Sequence, residues 1–158
     1  MSQLQAFAVA MTRPHSAVPL VEAPDIESAA AVVRSRGLRL STARRLVLEA
    51  LYATDEPMTA DRIAGDLDVA SVYRNLETLE QIGLVRHFHL GHGPGLYTRA
   101  SAGRYEYLLC DACGAVVAVE PERLDPVRDR IRSDFGYEAR FTHFPIAGLC
   151  PDCANEDV

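Results

Sequence analysis

Two C-x-x-C pairs, Cys110/Cys113 and Cys150/Cys153, hold all four cysteines of the 158-residue chain. Each pair fits a tight turn that aims two thiolates at one point, and a d¹⁰ zinc ion accepts four soft sulfurs in a tetrahedron without electronic preference. Two pairs complete the coordination of one ion, so the spacing predicts one closed, structural Zn²⁺ per chain. The alternatives are two disulfides or four buried thiols, and disulfides are disfavoured where thiols stay reduced. With 36 residues between the pairs, the ion would clamp the first strand turn of a C-terminal unit of about 60 residues to its last, stabilising a module with little core of its own.

The first residues, MSQLQAFAVAMTRP, lack a basic n-region, and their apolar run is far too short for a signal peptide. A cytoplasmic location is therefore expected. Apolar runs such as 107–110 and 115–119 are much shorter than the ~18 residues of a bilayer span, so no membrane partner is expected. Every basic residue is arginine, and 16 of them against 22 acids give a net charge of -6, which argues against a non-specific polyanion binder. Locally the balance reverses: Arg34, Arg36, Arg39, Arg44 and Arg45 fall between Val33 and Leu48 with no acid among them.

Residues 1–24 show no sustained periodicity and are expected to be a flexible extension. From Ile26 the apolar spacing turns helical, with Ala29, Ala30 and Val33 on one face and Gly37 as the stop. Ser41 or Thr42 can cap a second helix striped by Leu46, Val47, Ala50 and Leu51, and Thr59 opens a short third with Ile63 and Leu67 inward. A fourth helix, about 70–82, buries Val72, Leu76 and Leu79 and ends at Gly83. Leu84-Val85 and Leu96-Tyr97 then flank the turn-forming GHGPG, which reads as a hairpin. Helices followed by a hairpin are the parts of a winged helix, a helix-turn-helix variant, here over residues 25–99. Beyond residue 100 the pattern becomes two strands (YEYLLC, AVVAV), a helix near 121–135 with Leu124, Val127 and Ile131 inward, and a strand in EARFTHFPI. The expected fold class is thus α+β, a winged helix followed by a small α/β unit over 100–158.

The fourth helix stands where a recognition helix belongs. Its polar side offers Ser71, Tyr73, Arg74 and Asn75: arginine forks onto guanine or phosphate, asparagine pairs an adenine edge, and hydroxyls reach phosphates. Any surface helix has a polar face; the upstream cluster with Arg39, Arg44 and Arg45, and Arg86 at the base of the wing, favour a DNA-binding reading. At this point the run GLRLSTARR, Thr59-Ala60, SVYRNLETLEQIGLV and the spaced CDAC…GLCPDC together resemble the ferric-uptake-regulator family over about residues 26–153. The resemblance implies a transcriptional repressor that binds a palindromic double-stranded DNA operator as a homodimer. It also implies a zinc-stapled dimerisation domain and a regulatory metal at the hinge; no enzymatic activity and no small organic substrate are expected. By it, Tyr73 and Arg74 match DNA-contacting residues, and Cys110, Cys113, Cys150 and Cys153 match the zinc ligands.

The chain departs from that family where the regulatory metal should bind. The His-rich run before the first C-x-x-C reads GRYEYLLC, with only Glu106 able to ligate, and Pro57 stands in place of a histidine before the third helix. Instead, His87 and His89 alternate onto one face of a strand, His92 follows on the turn, and the three are expected to converge with Glu106. His143 is a further candidate, one position off the family spacing, where a one-residue shift on a strand reverses the face. Imidazole with carboxylate suits Fe²⁺, Mn²⁺, Zn²⁺ or Ni²⁺ alike. The competing readings are wing histidines facing phosphate or solvent and a His143 satisfied within the core. Other functions on the same fold are a peroxide sensor and a metal-independent regulator; a zinc hydrolase is disfavoured because no general base or nucleophile accompanies the histidines.

Overall fold

A computed structural model describes residues 18–155. The N-terminal half packs α1 (Ile26–Ser35), α2 (Thr42–Tyr52), α3 (Ala60–Ala64) and α4 (Val69–Gln81) against a three-stranded sheet of β1 (Met58–Thr59), β2 (Val85–Phe88) and β3 (Leu96–Arg99). Strand order is β1-β3-β2, all antiparallel, with Tyr97 of the central strand opposite both Met58 and His87. Each helix start is fixed by a side chain that accepts an otherwise orphaned backbone N–H. Ser28 N–H donates to Asp25 at 2.7 Å, Arg44 N–H to Ser41 at 3.2 Å, Arg62 N–H to Thr59 at 3.3 Å and Ser71 N–H to Asp68 at 2.9 Å. Val33, Val47, Leu48, Leu51, Val72, Leu76, Leu79 and Leu84 form a fully buried centre, each contributing about 1.5–3 kcal/mol. This core fixes α4 with its opposite side free.

Residues 1–17 of the expected flexible extension lie outside the described residues. Residues 18–24, by contrast, are built into the fold, because their backbone N–H and carbonyl groups pair with the body. Val21 N–H donates to the Gly83 carbonyl at 2.9 Å, and Ala23, itself buried, accepts from the Tyr52 hydroxyl at 2.7 Å and the Ser101 hydroxyl at 2.9 Å. Gly83, at φ +81°, permits this close passage: a Cβ there would lie 2.3 Å from the Pro19 carbonyl oxygen.

The C-terminal half is a second sheet, order β5-β4-β6, of β4 (Glu106–Cys110), antiparallel β5 (Val116–Val119) and parallel β6 (Ile146–Gly148), with α5 (Asp125–Phe135) and α6 (Pro151–Asn155). Two expectations fail here. The strand anticipated in EARFTHFPI is irregular through Pro145, and only Ile146–Gly148 pairs with β4, since proline brings no N–H to a ladder. The helix inward of Val127 and Ile131 is not buried: α5 contains no buried residue, Val127 is 44% exposed, and only Leu124 in the preceding 3-10 turn is covered. Phe135, Tyr137, Phe144 and Leu149 are likewise exposed.

Candidate metal centres and nucleic-acid face

Cys110 ends β4, Cys113 lies on the turn that follows, Cys150 precedes α6 and Cys153 lies within it. The Cys110 N–H closes the first turn by donating to Ala115 O at 2.9 Å, and the two turns are brought together by Asp111 N–H donating to Gly148 O at 2.8 Å and Cys150 N–H to Cys110 Sγ at 3.3 Å. All four sulfurs lie within 4.8 Å of one another, and no disulfide joins them. Cys113 Sγ and Cys150 Sγ are 3.8 Å apart, matching the edge of about 3.8 Å of a tetrahedron with Zn–S bonds near 2.3 Å. The electrostatics suit a cation. Backbone N–H groups of Cys113 and Cys150 push the Cys110 thiol down to about 6, whereas hydrogen bonding among the neighbouring sulfurs pushes Cys153 up to about 12. Four thiolates at this spacing coexist only around a positive ion. The donor set fits a closed zinc site.

A second cluster joins the two halves. His87 on β2 and His89, just past the end of that strand, lie beside His143, from the irregular segment before β6, and the three form a triangle with ring centroids 4.8, 5.3 and 5.5 Å apart. Three imidazoles around one ion, at Zn–N near 2.0–2.1 Å, hold their centroids about 5 Å apart. Their nitrogens are not yet gathered as the four sulfurs are, so closure on an ion takes ring rotation. Backbone contacts lock the approach: His89 N–H donates to the His143 carbonyl at 3.0 Å, and His143 Nδ1 lies 3.1 Å from the His87 carbonyl. A carbonyl only accepts, so Nδ1 carries the proton and Nε2 keeps its lone pair for a metal. His87 stacks on Tyr97 at 4.6 Å and 6°, and Gly95 leaves space at its outer edge: a Cβ there would sit 2.4 Å from His87 Nε2.

Two expected ligands stand apart from this triangle. His92 is exposed on the turn. Glu106 is 3% exposed and both of its oxygens accept from Arg128, which also donates to Asp125 at 2.8 Å and to the Pro121 carbonyl at 2.7 Å. A buried carboxylate needs a fixed cation partner, and the guanidinium already fills that role. His143, one position off the family spacing, meets the wing together with Tyr107, which stacks on Phe88 at 5.0 Å.

On its side away from the core, α4 exposes Tyr73 and Arg74, and Ser71 is partly exposed. Asn75 points the other way. It is buried, donates to the Ser71 carbonyl at 2.9 Å and accepts from Arg44 Nε at 3.1 Å. Its amide is therefore spent on holding Arg44, whose guanidinium also donates to the Arg39 carbonyl at 2.5 Å. Arg45 reaches Glu27 at 3.4 Å, and the Arg39 side chain is exposed. Arg86 is a further correction: it is buried, donating to the carbonyls of Gly103 at 3.0 Å and Tyr105 at 3.2 Å, and so ties the wing to the connecting segment. Tyr97 and Gly95, which frame His87, and the Asp68 cap went unnoticed in the sequence; the turn glycines gave the only signal for Gly95.

A winged helix joined to a small α+β unit, with a four-cysteine cluster in the second and a histidine triangle between the two, defines the architecture of a metal-dependent regulator. Residues 35–144 match the Ferric uptake regulator family, and the chain belongs to that family. The peroxide-responsive repressor PerR of Staphylococcus saprophyticus is 25% identical over 138 residues, covering 83% of this chain and 93% of its own. Among solved structures, the ferric uptake regulator Fur of Helicobacter pylori superposes with a TM-score of 0.63 at 17% identity, covering 82% of this chain and 94% of its own. A zinc uptake regulator complexed with zinc and DNA superposes with a TM-score of 0.52 at 21% identity, covering 84% and 94%.

Proposed function

We propose that the protein is a cytoplasmic, metal-responsive transcriptional repressor that binds a palindromic operator as a homodimer. Residues 25–99 read DNA through Tyr73, Arg74 and Ser71 of α4, supported by Arg39, Arg44 and Arg45. Residues 100–158 form the pairing half, which Zn²⁺ on Cys110, Cys113, Cys150 and Cys153 staples shut. A second divalent ion is held by His87, His89 and His143. That ligand set is all imidazole, and imidazole suits Zn²⁺, Ni²⁺ and Fe²⁺, whereas Mn²⁺ leans towards oxygen donors. The observation that carries this reading is the histidine triangle, because two of its members sit on the wing and the third on the C-terminal half.

An ion there favours one placement of the wing relative to the pairing half. Repression then follows as a population shift that sets two recognition helices about one DNA turn apart. A second copy has a surface to cover: Val117, Phe135, Tyr137 and Leu149 are large apolar side chains left exposed on the C-terminal half. Among the described residues no general base or nucleophile is placed beside the histidines, which argues against catalysis.

The test is metal analysis of the purified protein before and after gentle chelation, together with selection of bound duplexes from a random pool. One tightly held zinc and one exchangeable ion per chain, with duplex binding lost alongside the exchangeable ion, supports the proposal. A single class of ion, or duplex binding indifferent to chelation, contradicts it. The relative named as peroxide-responsive favours one second reading on the same fold, release of DNA on oxidation. Release by peroxide with both ions retained would select it.

A further inference from the structure

Three aromatic rings run from the histidine triangle to the exposed side of α4. His87 on β2 lies flat on Tyr97 of β3, with centroids 4.6 Å apart and planes 6° apart; Tyr97 in turn meets Tyr73 of α4 at 6.4 Å and 72°. The middle of the series is the most enclosed: Tyr73 is 45% exposed and His87 half-buried, whereas Tyr97 is 7% exposed. Tyr97 occupies the central strand, bracketed in register by Met58 and His87, so its backbone has no lateral freedom to absorb a change in either neighbour. Stacked and edge-to-face pairs each favour a limited set of ring placements. Reorientation of one ring is therefore felt by the next.

We infer that Tyr97 is a positioning residue that couples the His87 imidazole to Tyr73, so that closing the histidines on an ion sets the placement of Tyr73 on the DNA-reading helix. The inference rests on the proposed role of His87 as a regulatory ligand. Contact rather than charge transmits the change, because burial pushes the Tyr97 phenol up to about 12 and keeps it neutral. Where closure on an ion turns the His87 ring, its stack on Tyr97 at 4.6 Å obliges that neighbour to adjust with it. Packed side chains with discrete arrangements are the kind of element that carries energetic coupling between sites.

The test compares wild type, Tyr97→Leu and Tyr97→Phe, each retaining its cysteine-bound zinc, on a duplex selected by the wild-type chain. The quantity read is the ratio of duplex Kd without and with added Zn²⁺. Couplings between sites commonly amount to about 5–150-fold. Wild type is expected in that range, Tyr97→Phe close to it, and Tyr97→Leu below about twofold. Linkage requires the duplex to raise Zn²⁺ affinity by the same factor in each protein, and general damage that weakens both Kd values leaves the ratio unchanged. An unaltered ratio in Tyr97→Leu overturns the coupling alone; a wild type indifferent to Zn²⁺ overturns the proposed function and the coupling with it. Should Tyr97→Leu not fold, the aromatic NMR signals of the DNA-free wild type decide. Zn²⁺ is expected to move Tyr97 and Tyr73 together, and a shift of Tyr97 with Tyr73 fixed refutes the inference.

Discussion

Stripping the cysteine-bound ion should unfold the C-terminal half and spare the winged helix, and the structure sets the scale of that difference. Among the described residues after Gly103, the buried hydrophobic side chains are Cys110, Val119 and Leu124, and Cys110 belongs to the sulfur cluster itself. Val119 and Leu124 together contribute about 3–6 kcal/mol at 1.5–3 kcal/mol each, whereas a structural zinc supplies about 10–16 kcal/mol near neutral pH. The ion therefore outweighs the local core. The N-terminal half instead rests on a continuous cluster running from Ala23 to Tyr97. Amide hydrogen exchange on zinc-replete and chelated protein, or on Cys153→Ser, reads the two halves separately. A loss of even about 5 kcal/mol accelerates exchange by three to four powers of ten. That acceleration is expected across β4, β5, β6 and α5, with α2 and α4 unaffected. Protection retained in β4–β6 of protein shown to be free of zinc would refute the argument.

Arg74→Ala should abolish preference for the selected duplex while leaving the dimer intact; unchanged affinity in a gel-shift titration would remove α4 as the reader. Gly95→Ala places a methyl 2.4 Å from the present His87 Nε2, and displacing a ligand's orientation in this way should weaken the exchangeable ion about 10–100-fold, measured by competition with a chromophoric chelator, with the cysteine-bound zinc unaffected. Alkaline stability offers a third check. Burial raises the Tyr97 phenol to about 12, and Tyr52 and Tyr107 shift upward for the same reason, whereas an unfolded tyrosine ionises near 10. The stabilisation is thus complete below pH 10 and lost between about 10 and 12. The chain has no lysine to titrate in that window, so a denaturation midpoint flat from pH 10 to 12 would contradict the burial assigned to these rings.

The winged helix was largely legible in the sequence because its signals are local. Apolar periodicity placed α1, α2 and α4, Ser41 and Thr59 cap where expected, and the glycine-rich turn between β2 and β3 reverses the chain. The cysteine spacing foretold the sulfur cluster for the same reason, each pair being a turn in itself. What escaped depends on partners distant in sequence. Glu106 looks like a free ligand until Arg128, 22 residues on, closes over it, and Asn75 looks like a base reader until Arg44 claims its oxygen. Val127 and Ile131 carry an inward-facing pattern that α5 does not bury within its own chain. His143 is out of register only for a strand; in the irregular segment before β6 the alternation of faces does not apply, and the ring reaches His87 and His89.

The account depends on an ion at the three histidines controlling DNA affinity. The direct measurement is a titration of the selected duplex, by fluorescence anisotropy, into wild type and His143→Ala, with and without added Zn²⁺ and with the cysteine-bound zinc verified in both. Wild type should tighten about 5–150-fold with the ion, while His143→Ala, which keeps both wing histidines but loses the ligand from the C-terminal half, should change less than about twofold. Equal responses in the two proteins, or none in wild type, would contradict it.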